Sequence, residues 1–95
     1  MRLLANEYIL EHLEAFNSSL VDFINRFEWV ERGVVEVCDI LNFAALIVGV
    51  AVCFLPDEYG GVCIYIDDDA VEYLPLILDV FKKNYVNWGL REPLI

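Results

Sequence analysis

An α+β fold, helices packed on a small antiparallel sheet, is predicted by three features of this 95-residue sequence. Phe16, Leu20, Phe23 and Phe27 recur at steps of three and four, as on one face of a helix. Two uncharged runs, Leu46–Leu55 and Gly61–Ile66, are rich in β-branched residues and joined by a segment carrying Pro and Gly, as in a β-hairpin. Leu74, Ile77, Leu78, Phe81, Tyr85 and Trp88 then return to helical spacing. The length suits one domain over residues 1–95, and a hydrophobic content of 59% argues for a dense core rather than disorder.

The N-terminal helix or helix pair is expected over about residues 3–31. Ile9, Leu10, Leu13 and Ile24 extend the phenylalanine stripe, and Glu7, Glu11, Glu14 and Asp22 fall mostly on the other side. Asn17-Ser18-Ser19 are poor helix formers, and Ser19 with Asp22 makes a candidate capping box. One kinked helix and two collinear helices both fit. Trp29 is expected as a partly buried anchor, and Arg32-Gly33 as the end of this section.

Residues 34–41 carry two conflicting signals. Glu36, Asp39 and Asn42 at intervals of three read as the polar stripe of a helix, whereas Val34, Val35, Val37 and Ile40 favour a strand. An isolated two-stranded hairpin is marginal in water. A third strand would complete a meander with residues 46–55 at its centre, so the sheet is expected over about 34–41, 46–55 and 61–66.

The expected hairpin register sets Leu55 opposite Gly61, Phe54 opposite Val62 and Cys53 opposite Cys63. Alternation then gives one bulky face, with Leu46, Val48, Val50, Val52 and Phe54 beside Val62, Ile64 and Ile66. The other face is small and smooth, with Ile47, Gly49, Ala51 and Cys53 beside Gly61, Cys63 and Tyr65. The C-terminal helix is expected over about 70–88, with Asp69 and Glu72 as candidate caps. Pro75 either kinks its second turn or begins the helix proper. Lys82 and Lys83 sit where the helix dipole favours cations, and the tail Leu90–Ile95 is expected to be extended.

The formal charge of −10 is unevenly distributed. No Lys or Arg lies between Arg32 and Lys82, an interval that holds Glu36, Asp39, Asp57, Glu58, Asp67, Asp68, Asp69, Glu72 and Asp79. Direct nucleic-acid binding needs a basic footprint, so basic protein surfaces are the expected partners instead. The run Ile40–Leu55 contains Asn42 and falls short of the ~20 apolar residues that span a bilayer. Glu7 and Glu11 interrupt the N-terminus too early for a secretory segment, and a cytoplasmic location is expected. Three cysteines, an odd number, point to a reducing compartment. Cys53 and Cys63 are expected as buried free thiols, with a cross-strand disulfide between them as the alternative, and no Cys–His spacing matches a zinc site.

No motif identifies a reaction. Tyr65-Ile66-Asp67-Asp68 resembles the Y-x-D-D motif of reverse-transcriptase palm domains, which would imply a metal-binding aspartate pair. That resemblance covers four residues, a helix rather than a strand is expected to follow them, and no basic channel exists for template, so it is read as coincidence. Asp67, Asp68 and Asp69 lack the alternating ligands and glycine of a calcium loop, and capping of the following helix accounts for one or two of them. His12 stands alone, threonine is absent, and Gly60-Gly61 is turn chemistry rather than a phosphate loop. No catalytic residue, metal ligand or cofactor is therefore assigned, and an enzyme is not expected.

The expected function is a small acidic protein-binding inhibitor that masks a basic, nucleic-acid-binding surface of a partner. In size and charge the chain resembles phage anti-defence proteins, the anti-CRISPR-like inhibitors among them, and nuclease-toxin immunity proteins. Its expected contact residues are Asp57, Glu58 and Tyr59 in the hairpin loop, and Asp67, Asp68, Asp69 and Glu72 at the far end. The alternative is a non-catalytic structural or oligomerisation domain whose acidity maintains solubility, forming a homodimer through the smooth sheet face.

Overall fold

The computed structural model describes residues 2–27 and 29–89, with side chains from Glu7 onward. Its elements run α1 (Arg2–Arg26), α2 (Val34–Val48), β1 (Val52–Pro56), β2 (Val62–Ile66), a 3-10 helix (Asp68–Tyr73) and α3 (Leu74–Tyr85). Among the described residues the fold is α+β, three α-helices and a 3-10 helix with one antiparallel hairpin. The expected tail Leu90–Ile95 lies outside the described residues.

Helix α1 is one continuous helix, not a pair. Asn17, Ser18 and Ser19 all face solvent, where their weak propensity costs little, while Phe16, Leu20 and Phe23 stay in one buried row. Phe23 meets Phe81 and Tyr85 of α3 edge-on, at 5.9 and 5.5 Å between ring centroids. Trp29 is not the expected buried anchor: it is 69% exposed and only leans on Phe27.

Residues 34–41 correct the expectation most sharply, because they form the first half of α2 rather than a strand. Val37, Cys38, Ile40, Leu41, Ala44 and Ala45 are buried at helical spacing, so the Glu36/Asp39/Asn42 stripe outweighs the β-branched composition. Burial against α3 on one side and β1 on the other supplies what local propensity withholds. The apolar run from Leu46 is likewise not one strand. Leu46–Val48 close α2, and Gly49 takes a left-handed φ of 87°, its N–H reaching the Ala45 carbonyl at 2.9 Å. Only Val52–Pro56 is extended.

β1 and β2 pair with Phe54 opposite Ile64, Cys53 opposite Tyr65 and Leu55 opposite Cys63. The five-residue loop is therefore Asp57–Gly61, and the register differs from expectation by two residues. A two-residue slip preserves side-chain parity, so the faces are those expected. Val52 and Phe54 point inward and are buried, with Val62, Ile64 and Ile66 half-buried beside them. Cys53, Leu55 and Tyr65 point outward and are exposed. Phe54, fully buried, stacks near Phe16 of α1 at 5.8 Å and joins Ile40, Leu41, Ile77 and Phe81 in the core.

The C-terminal helix starts later than expected. Asp68–Tyr73 is 3-10, and α3 begins at Leu74 with Pro75 in its first turn, where the missing N–H carries no penalty. Leu74, Ile77, Leu78, Phe81 and Tyr85 are its buried stripe.

Candidate functional site

The hairpin loop is organised by one side chain. Asp57 Oδ1 accepts from the Tyr59 N–H at 2.8 Å and from the Gly61 N–H at 2.7 Å, and the Asp57 N–H donates to the Gly61 carbonyl at 3.0 Å. Gly60 adopts φ 83°, which favours glycine, and a Cβ on Gly61 would lie 2.8 Å from Asp57 Oδ2, so a side chain there would displace the Asp57 carboxylate. Asp57, an expected contact residue, is thus largely spent inside the protein. Glu58 and Tyr59 remain outside, Tyr59 at 89% exposure.

At the other end of the hairpin the outcome is reversed. Asp67, Asp68, Asp69 and Glu72 are all exposed. Asp67 occupies the N-cap position of the 3-10 helix, yet makes no side-chain cap bond; the first turn closes through its backbone carbonyl, which accepts from the Ala70 N–H at 3.0 Å. The capping expected of Asp69 and Glu72 does not occur either: α3 has no side-chain cap. Among the described residues none of these carboxylates makes a cap bond or an ion pair, and Asp68 and Asp69 meet the fold only as acids in the first turn of the 3-10 helix. Asp67 and Asp69 border a shallow depression floored by Val50, Ala51, Ala70 and Tyr73. No group of three carboxylate, thiol or imidazole side chains converges as metal ligands among the described residues.

The cations bounding the acidic interval are turned away from it. Arg32 Nε donates to the Tyr85 carbonyl at 2.7 Å, and Nη2 reaches the Val86 and Trp88 carbonyls at 3.1 and 3.2 Å. Its Nη1 pairs with Glu36 at 3.1 Å, the one ion pair among the described residues, and its guanidinium lies over the Tyr85 ring. Arg32 is therefore the C-terminal cap of α3, satisfying carbonyls that the helix leaves without partners. Lys82 Nζ sits 5.7 Å from the centre of the Phe23 ring. Neither cation answers the loop acids or the aspartates. Burial raises the Tyr85 hydroxyl above its ordinary value, with Arg32 opposing and Glu36 adding to the shift.

A second polar device, not anticipated from the sequence, joins α2 to the hairpin. Asn42 Nδ2 donates to the Phe54 carbonyl and Asn42 Oδ1 accepts from the Phe54 N–H, both at 2.8 Å. The amide thus fills the position a neighbouring strand would occupy on the outer edge of β1. Asn42 was legible as polar within an apolar run; its partner was not.

The expected contact residues therefore stand in two groups at opposite ends of the hairpin, Glu58 and Tyr59 at one and Asp67–Asp69 with Glu72 at the other. Between them runs an uncharged, exposed strip formed by Leu55, Cys53 and Tyr65, the last 60% exposed. Cys53 and Cys63 are both free and are not directly opposite, and Cys53 is exposed rather than buried as expected. Cys38 is buried, and burial raises its thiol above the ordinary value, with Asp39 adding to the effect. The apolar run Ile40–Leu55 is divided among a helix end, a glycine cap and a strand, and no helix among the described residues is long and apolar enough to cross a membrane. Compared with known protein families, characterised proteins and solved structures, the chain shows no significant match.

Proposed function

We propose that this protein is a non-catalytic inhibitor of the cytoplasm that covers a basic, nucleic-acid-binding surface of a partner protein, in the manner of a phage anti-defence or nuclease-toxin immunity protein. The observation that carries the reading is the exposure of Asp67, Asp68, Asp69 and Glu72 with neither cap bonds nor ion pairs among the described residues. Clustered carboxylates without ion pairs repel one another, and such repulsion is tolerated where an external cation relieves it. Tyr59 and Tyr65, both exposed, supply aromatic area of the kind that anchors interfaces. In this mechanism the acids steer association, the tyrosines are desolvated on docking, and nucleic acid is kept out by occupancy.

The test is affinity capture from an extract of a nuclease-bearing host, followed by assay of the captured protein's nucleic-acid binding. A basic partner should be retained at low salt, partly released at higher salt, and blocked from nucleic acid while bound. Replacing Asp67, Asp68 and Asp69 with lysine should abolish capture and leave the far-UV CD spectrum unchanged. Capture that survives the triple replacement, or the absence of any basic partner together with a stable homodimer in sedimentation, defeats the reading in favour of an oligomerisation domain.

A further inference from the structure

The two edges of the hairpin are chemically unlike. Phe54 directs both its N–H and its C=O away from β2, to Asn42. Antiparallel pairing alternates residues that bond across the ladder with residues that face outward. Val52 and Pro56 therefore face outward with Phe54 on β1, and on β2 the outward-facing residues are their partners Ile66, Val62 and Ile64. The bond between Asp57 and Gly61, the next pair beyond Pro56 and Val62, has the phase this requires.

On β1 no outward N–H is left open. The Val52 N–H donates to the Val50 carbonyl at 3.0 Å, Asn42 serves Phe54, and Pro56 has no N–H. On β2 the outward N–H and C=O groups of Val62, Ile64 and Ile66 have no hydrogen-bond partner among the described residues, since β1 is its sole neighbour in the sheet. The strand Val-Cys-Ile-Tyr-Ile carries no charge, proline or bulge, the devices that ordinarily protect an edge. Beside it a groove runs between Val62 and Ile64 and the α1 residues Leu13, Glu14 and Asn17.

We propose that this edge receives an extended partner segment with a short β-branched run flanked on both sides by lysine or arginine, which joins the hairpin as a third strand. The inference rests on the acidic-masking reading and specifies how the two acidic groups act together. Five residues of strand span about 16 Å. A segment paired along β2 carries its flanks past Glu58 at one end and Asp67–Asp69 at the other, both exposed. The charge pattern selects this occupant over a second copy. Antiparallel pairing of two β2 strands about Ile64 would set each Asp67–Asp69 group beside the other copy's loop and Glu58, acid against acid on chains of charge −10.

The probe is a synthetic peptide with paired lysines at each end of an alternating valine–threonine run, with a glutamate-flanked version and a version carrying a central proline as controls. Amide hydrogen exchange followed by NMR should show Val62, Ile64 and Ile66 protected by the lysine-flanked peptide. A chain ligated at Cys63 with N-methylated Ile64 keeps every ladder bond and should bind about tenfold more weakly, the loss expected for an outward hydrogen bond and the clash of the added methyl. Equal binding of the proline-broken peptide with unchanged exchange at Ile64 and Ile66 overturns the edge assignment while acidic masking stands. Equal binding of the glutamate-flanked peptide removes the charge argument and both readings with it. No binding of the lysine-flanked peptide, or protection of the same amides by self-association without peptide, overturns the inference.

Discussion

The half of the molecule formed by α2, β1 and the end of α3 differs from the half formed by β2 and the 3-10 helix in what its polar groups do. On the first side Arg32 closes α3, Asn42 closes the β1 edge and Asp57 closes the loop, each through two or more hydrogen bonds. On the second side the aspartates have no cap bonds and the outer edge of β2 has no partner among the described residues. The inward faces of β1 and β2 are both apolar, Val52 and Phe54 buried and Val62, Ile64 and Ile66 half-buried, so the difference is not one of residue type. It lies in whether polar groups are satisfied from within, and that separates residues that maintain the fold from residues free to meet a partner.

Four measurements break or sharpen this contrast, in order of expected size. Arg32→Met removes the donors to the Tyr85, Val86 and Trp88 carbonyls and should cost about 2–4 kcal/mol in urea unfolding. A cost below about 0.5 kcal/mol, the range of ordinary surface changes, would show that water caps α3 equally well. Asn42→Ala strips both partners from the backbone of a fully buried residue, Phe54 at 0% exposure, and should cost about 2–3 kcal/mol. Hydrogen exchange should report it first at the Phe54 amide. For Asp57→Ala, loss of the acceptor for two loop N–H groups should cost about 1–2 kcal/mol, and a smaller value would place Asp57 among the free acids. Replacement of Asp67, Asp68 and Asp69 together with asparagine should change stability by no more than about 0.5 kcal/mol per site, or raise it by relieving repulsion. A loss beyond that range would mean these carboxylates do structural work.

Alkaline pH supplies a further check on the buried side. The folded state raises the Cys38 thiol and the Tyr85 hydroxyl, each mainly through burial, so folding favours their neutral forms. Their contribution is fully present below the ordinary values of 9.0 and 10.0 and is lost as pH rises past them. Unfolding midpoints should therefore fall from about pH 9 upward, and Cys38→Ala should flatten the first part of that decline. A midpoint independent of pH across this range would contradict burial of both groups.

Much of this was legible in the sequence. The Phe16–Leu20–Phe23 stripe, the Leu74–Phe81 stripe and the two hairpin faces follow from periods of 3.6 and 2, which local geometry imposes on any amphipathic segment. Even the register error left the faces intact, because slipping by two residues does not change parity. Gly49 is a readable signal: a glycine inside an apolar run marks a left-handed helix cap as readily as it weakens a strand. The misassigned strand over 34–41 has a deeper cause. Valine and isoleucine prefer strands by a margin that burial readily exceeds, so the state of that segment depended on its neighbours.

What the sequence determined alone is therefore the set of apolar faces, the hairpin and the one-sided charge, since each depends on spacing or composition. Tertiary structure decided which acids and cations are used. Arg32 meets carbonyls more than fifty residues away, and Asn42 meets Phe54 across a turn. Asp67–Asp69, beside a helix start that their side chains do not cap, are left to solvent. A hydrogen bond is decided by sub-ångström placement of both partners, and that placement exists only once the whole core has formed.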